Sequence, residues 1–150
     1  MTQYNSNYSV IIPIYNGLKF FERCVKDHLK QSYLPKIIII VDDASSLDQK
    51  VTLSHIEKII KNRVEYKLIT HEKNLGASNS IFTGLKKVKT KYFKISAVDD
   101  FLEKDCAKKS LKILEKNPQA GFVFSMPSMY FFKQKQIKKY KLRISIRPIY

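Results

Sequence analysis

At 150 residues, 44% of them hydrophobic, the chain suits one domain with a buried core. Its formal net charge of +15, from 28 basic and 13 acidic residues, reads either as a solubilising lysine surface or as a preference for anionic partners: nucleotide phosphates, anionic lipid or nucleic acid. Two cysteines exclude a disulfide framework, and no apolar run reaches the ~18 residues that a helical membrane crossing needs.

Strand one is expected over Tyr8–Ile14. Pro13 has no N–H for a ladder, so the strand should be ending there. Asn16-Gly17 makes a turn. A helix follows from about Leu18 to Gln31, its buried stripe formed by Phe20, Phe21, Cys24, Val25 and Leu29. The unbroken aliphatic run Ile37–Val41 fits a strand buried on both faces, the pattern of a parallel sheet. A helix is expected over Asp48–Asn62, a strand over Val64–Thr70, and a helix over Ala77–Val88. Next come a strand over Tyr92–Val98, a helix over Glu103–Lys116 that stops before Asn117-Pro118, and a strand over Ala120–Ser125. From Met129 on there is no helical period, and Leu142 to Arg147 alternates as a strand does. Strands alternating with helices argue for an α/β fold with a mainly parallel sheet flanked by helices.

Chemistry is expected where ligands bind in such folds, beyond the carboxyl ends of the strands. Three strands end in suggestive residues: Pro13-Ile14-Tyr15-Asn16, Asp42-Asp43 and Asp99-Asp100. Adjacent acids repel, and a divalent cation relieves this well, because Mn²⁺ or Mg²⁺ takes oxygen ligands and keeps substrate phosphates in its shell. Two readings of Asp99-Asp100 stand: a metal and ribose site, or a cap for the following helix. Asp42-Asp43 likewise either reads a base edge, one acid accepting from a uracil N3–H, or only shapes a turn. Tyr15 and Asn16 can pack on a base, or the tyrosine can be core. Asn74-Leu75-Gly76 and Gly84 flank a helix start, where amides suit phosphate or simply begin the helix. His28, His55 and His71 are scattered and receive no role.

Taken together, Ser9–Asn16, Ile39–Ser45, Asn74–Gly76 with Gly84, Ser96–Asp100 and Leu114–Val123 resemble the N-terminal half of a family 2 glycosyltransferase of the GT-A fold. The resemblance covers about residues 8 to 126. It implies a Rossmann-like nucleotide-binding half that holds a nucleotide-diphosphate sugar, expected to be UDP-linked. Pro13, Tyr15 and Asn16 then line the base pocket, Asp43 contacts the base with Asp42 supporting, Asp99 meets the ribose and Asp100 holds Mn²⁺ or Mg²⁺. Such enzymes invert the anomeric centre with a carboxylate base. The chain departs from the pattern at Ile81-Phe82, where many relatives carry Arg-Asn, and at Ala97, where others have a further aspartate.

The expected organisation is a nucleotide-sugar-binding domain over 1–132 and a basic tail over 133–150, read as the truncated start of an acceptor half. The tail carries seven basic residues and no acidic one, so no general base can come from it. The expected function is donor binding for sugar transfer in surface polysaccharide synthesis. The alternative is an inactive nucleotide-sugar-binding fragment that lacks the acceptor domain and the base. Seven charges interleaved with Ile137, Tyr140, Leu142, Ile144, Ile146 and Ile149 suggest contact with an anionic membrane surface, the alternative being an unpaired remnant of a strand that belongs to the acceptor half. The expected setting is cytoplasmic, with peripheral attachment at the inner face of the membrane. The polar N-terminus Met1–Asn7 does not read as a signal peptide. No nucleic-acid recognition motif is visible. A receiver-like phosphoacceptor would want an acidic pair after the first strand and a lysine after the last, where this chain has Asn16 and Ser125.

Overall fold

The aliphatic run at residues 37–41 forms the centre of a parallel sheet. The structure, a computed structural model, describes residues 3–4, 7–46, 58–60, 63–125, 128–131 and 136–138. The chain divides into two compact units, Met1–Ala107 and Lys108–Tyr150.

In the first unit β1 is Gln3–Tyr4, β2 Tyr8–Ile14, β3 Tyr33–Leu34, β4 Ile37–Asp42, β5 Glu65–Thr70 and β6 Tyr92–Ile95. Two helices of this unit are α1, Leu18–Leu29, and α2, Ala77–Leu85. The main sheet has four strands in the order β5-β4-β2-β6, all parallel. Ile11 pairs with Ile39 on one side and Ile95 on the other. Val10, Ile11, Ile12 and Ile38 to Val41 are buried, as strands covered on both faces must be. A second, short parallel pair joins β1 to β3. Most of α3, Cys106–Lys116, lies in the second unit, with β7, Met129–Phe131, antiparallel to β8, Gln136–Lys138.

β6 stops at Ile95, three residues short of the expected Val98, and Pro13 supplies the reason. Along β2 the carbonyls of Asn7 and Ile11 accept from Tyr92 and Ser96, while those of Tyr8 and Ile14 accept from Lys36 and Asp43. Odd-numbered residues thus face β6 and even-numbered ones β4. Pro13 is the next residue whose N–H would face β6, and it has none. The β2–β6 ladder ends at Ser96 while the β2–β4 ladder continues to Ile14. The two strands are released from one another just where the acidic loop begins.

Other expectations shift for local reasons. The strand expected at Ala120–Ser125 is irregular: no described strand pairs with it, and Phe122 and Phe124 stack on each other, 6.2 Å between centroids, while remaining exposed. The expected helix at Glu103–Lys116 starts at Cys106. Of the helix expected over 48–62, residues 58–60 are described and are helical; the rest, and the strand-like 142–147, lie outside the described residues.

α2 packs on β2 and β4. A Cβ at Gly84 would lie 2.5 Å from Cγ2 of the buried Ile11, closer than real contacts allow. Gly84→Ala is therefore expected to destabilise by about 1–3 kcal/mol, outweighing alanine's better helix propensity of about 1 kcal/mol. Urea unfolding checks this; an unchanged midpoint would mean that α2 shifts freely.

Candidate functional site

Because β2, β4 and β6 run parallel, their carboxyl ends share one edge of the sheet. The strand order reverses between β2 and β6, the place where open α/β sheets leave a crevice for ligands. With strands about 4.8 Å apart, the ends of β4 and β6 lie about 10 Å from each other on either side of β2.

The loops beyond these ends are tied together. Asn16 N–H donates to Ser45 Oγ at 3.0 Å, and Ser46 N–H donates to Asn16 Oδ1 at 3.1 Å. Asn16 (φ 48°) and Ala44 (φ 63°) are both left-handed, so each strand leaves the sheet through a tight reversal. Asparagine tolerates this conformation, whereas alanine is strained in it by about 1–2 kcal/mol. On the other side, a Cβ at Gly17 would lie 3.0 Å from Val98 Cγ1, so the β2 and β6 loops approach closely. Tyr15, on the β2 loop, is 53% exposed and is not core. Pro13 sits at the ladder's end as described.

Asp42 and Asp43 are both buried but work differently. Asp42 Oδ1 accepts from Ser45 N–H at 3.0 Å, a turn-forming bond, while Oδ2 is buried with no hydrogen-bond partner in the structure. Asp43 Oδ1 accepts from Leu75 N–H at 2.9 Å and pairs with His71 Nδ1 at 2.7 Å; Oδ2 accepts from Gly76 N–H at 2.7 Å. Burial pushes the Asp43 carboxyl up, but the bonds from His71, Leu75 and Gly76 outweigh it and hold the group below the usual carboxylate range. The Leu75 and Gly76 amides, candidates for phosphate, thus serve Asp43.

Asp99 and Asp100 are exposed. Neither caps α3, which begins at Cys106. Their backbone is held from α1: Arg23 Nη2 donates to the Asp99 carbonyl at 2.7 Å and the Asp100 carbonyl at 3.2 Å. Beneath the loop, His28 Nε2 meets Ser96 Oγ at 3.0 Å, and the Cys24 thiol lies 3.8 Å from the Ala97 carbonyl. Burial raises that thiol to about 11, so it is not a ready nucleophile.

Sequence reasoning missed His71, His28 and Arg23. His71 bridges Asp43 and, through Nε2 at 3.1 Å, Thr83 Oγ1 on α2. Its nearness to Asn74-Leu75-Gly76 was the available signal. His28 falls on the buried stripe of α1, in step with Phe21, Cys24 and Val25.

The model for glycosyl transferase family 2 matches residues 9–147, which includes every strand end described above. The chain belongs to this family. An uncharacterized glycosyltransferase of Haemophilus influenzae is 34% identical over 109 residues, 73% of this chain and 33% of that protein. The family 2 chain thus spans about a third of that relative's length. Among solved structures, S. aureus TarS 1–349 in complex with UDP-GlcNAc is 26% identical with a TM-score of 0.66, over 75% of this chain and 32% of that one. A mannosyltransferase from Pyrobaculum calidifontis, PcManGT, solved with GDP-Man and Mn²⁺, has a TM-score of 0.68 at 18% identity, over 77% of this chain and 34% of that one, a likeness of fold. In the segment expected to depart from the family pattern, Ile81 is half-buried and Phe82 is 59% exposed, with Lys86 Nζ 4.7 Å from its ring centroid.

Among the described residues no group of three or more His, Cys, Asp or Glu side chains gathers as a metal cage. The exposed pair Asp99-Asp100 fits the other kind of site, in which one or two carboxylates hold Mn²⁺ or Mg²⁺ and a phosphate-bearing substrate completes the shell. No helix among the described residues is long and apolar enough to cross a membrane.

Proposed function

We propose that the chain is the donor-binding region of a glycosyltransferase, holding a nucleotide-diphosphate sugar, UDP-linked, at the carboxyl ends of β2, β4 and β6. The single observation that carries this is the shared edge: Tyr15-Asn16, Asp42-Asp43 and Asp99-Asp100 leave neighbouring parallel strands at the point where strand order reverses. UDP-GlcNAc in the TarS complex supports the choice of ligand.

In this reading Tyr15 offers an exposed ring to the base, and Pro13 and Asn16 shape the floor beneath it. A carboxylate has about four acceptor positions, and Asp43 uses three, leaving one on Oδ2 for a base N–H. Asp42 supports it by fixing the Ala44-Ser45 turn. Asp99 accepts from a ribose hydroxyl, and Asp100 holds the divalent ion. A bound Mn²⁺ or Mg²⁺ would neutralise the diphosphate as it leaves, which is Lewis-acid catalysis.

The test is release of UDP from UDP-linked sugars in the presence of Mn²⁺. Turnover with an acceptor supports transfer in surface polysaccharide synthesis. The same assay separates transfer from a second reading, a donor binder without turnover. Binding of UDP with no release from any sugar nucleotide would decide for it.

The same proposal places the basic segment 133–150, most of it outside the described residues, against anionic lipid at the inner face of the membrane. Seven basic residues without an acid support this, at about 1 kcal/mol each near such a surface. Sedimentation with phosphatidylserine vesicles is expected to be lost on deletion of 133–150; equal sedimentation of the shortened chain would refute it.

A further inference from the structure

One face of α1 grips the whole acidic loop. Arg23, Cys24, Asp27 and His28 are spaced as i, i+1, i+4 and i+5, which brings them to one side of α1, and Gln31 follows just beyond its end. Besides the contacts of Arg23, Cys24 and His28, Asp27 Oδ2 accepts from Leu102 N–H at 3.4 Å. Gln31 donates to the Glu103 carbonyl at 2.9 Å and accepts from Ala107 N–H at 3.0 Å.

Arg23 holds the part of this loop that matters to the ion. The Asp99 carbonyl belongs to the peptide plane before the Asp100 Cα, and the Asp100 carbonyl to the plane after it. Bonds to both, at 2.7 and 3.2 Å, restrain both backbone angles of Asp100 and hence the direction of its Cβ. The guanidinium is itself fixed by stacking, 3.7 Å from the Phe101 ring centroid and 5.5 Å from that of Phe20. Both bonds come from one nitrogen, Nη2, whose two N–H groups lie in the guanidinium plane that the stacking fixes; a lysine ammonium has no plane to be held in this way.

We infer that Arg23 is a positioning residue for Asp100: it sets the two peptide planes flanking that residue and so presents the carboxylate to the divalent ion. This rests on the nucleotide-sugar reading. The test uses the full 150-residue chain, with UDP titrated by calorimetry in Mn²⁺ and in EDTA, and bound Mn²⁺ counted by electron paramagnetic resonance. Arg23→Ala is expected to weaken Mn²⁺-dependent UDP binding and Mn²⁺ uptake by about tenfold or more, as loss of outer-shell support does, with UDP affinity in EDTA changed less than about twofold. Arg23→Lys should recover only part of this, and Phe101→Leu should show the same metal-specific loss in smaller measure. These two variants carry the test should Arg23→Ala not fold. Metal-dependent binding within about twofold of wild type in the variants that fold, or equal losses with and without metal, would overturn the inference. A wild-type chain that binds no UDP in either buffer overturns the nucleotide-sugar reading, and this inference with it. Wild-type binding beside indifferent variants sinks Arg23's role alone.

Discussion

Asp43→Ala is expected to lower the free energy of unfolding by about 3–5 kcal/mol, the cost typical of removing one partner from a buried charged network. The carboxylate is 3% exposed and receives His71, Leu75 N–H and Gly76 N–H; only the Gly76 amide has a second acceptor, Asn74 Oδ1 at 3.0 Å, among the described contacts. Truncation leaves the Leu75 N–H and a His71 ring nitrogen without an acceptor at the entry to α2, each orphaned group costing about 1–3 kcal/mol unless water enters, while Gly76 N–H keeps Asn74 Oδ1. Asp43→Asn keeps one acceptor oxygen and should lose roughly half as much. Urea unfolding at pH 7 checks both; a loss under about 1 kcal/mol for alanine would show that the β4, β5 and α2 ends are held by something else. The same carboxyl contributes to acid sensitivity. Its folded-state value is depressed, so its stabilisation is complete above the ordinary aspartate value of about 3.9 and is lost as pH falls through the lower folded value.

A larger part of the acid response is expected from His28. Burial, and secondarily the charge of Lys94, pulls the ring down from 6.5 to about 3. The folded chain keeps the ring neutral against Ser96, while the unfolded chain takes up a proton below 6.5. Protonation therefore drives unfolding. The contribution of His28 is fully present above pH 6.5 and is withdrawn as pH falls toward 3. Melting temperature is expected to fall steadily across that window in the wild-type chain. His28→Gln, a neutral amide able to meet the Ser96 hydroxyl, should flatten the fall above about pH 4, leaving the Asp43 contribution below it. An identical slope in wild type and His28→Gln would show that the ring is protonated in the fold.

Much of this was legible because strand burial and strand ends are local signals. Five aliphatic residues in a row, Ile37 to Val41, admit little but a doubly covered strand, and the residues after it fall at the edge where open parallel sheets bind ligands. Pro13 marks a strand end in the sequence, yet its further effect on the neighbouring strand, stopping β6 at Ile95, depends on which way its missing N–H points. That direction is set by register, which a single sequence does not display. The β1–β3 pair was missed for a similar reason: two-residue strands carry no period. Ala120–Ser125 has strand-like residues but no described partner, and a strand without a ladder is only an extended segment. The histidines were illegible because their partners are distant. His71 meets Asp43, 28 residues earlier, and His28 meets Ser96, 68 residues later. The acidic pairs were legible as positions but not as roles. Asp43 turned out to organise the loop before α2, and Asp42 to form the turn that could also have been its whole purpose.

A nucleoside and a cation are expected to share the edge between β2, β4 and β6. Calorimetric titration of UDP into the wild-type chain and into Asp100→Asn, each with Mn²⁺ and with EDTA, tests this most directly. The expected result is UDP binding that Mn²⁺ strengthens in the wild type, with Asp100→Asn reduced to the EDTA level in both buffers. UDP binding of equal strength in all four titrations, or none in any, would contradict it.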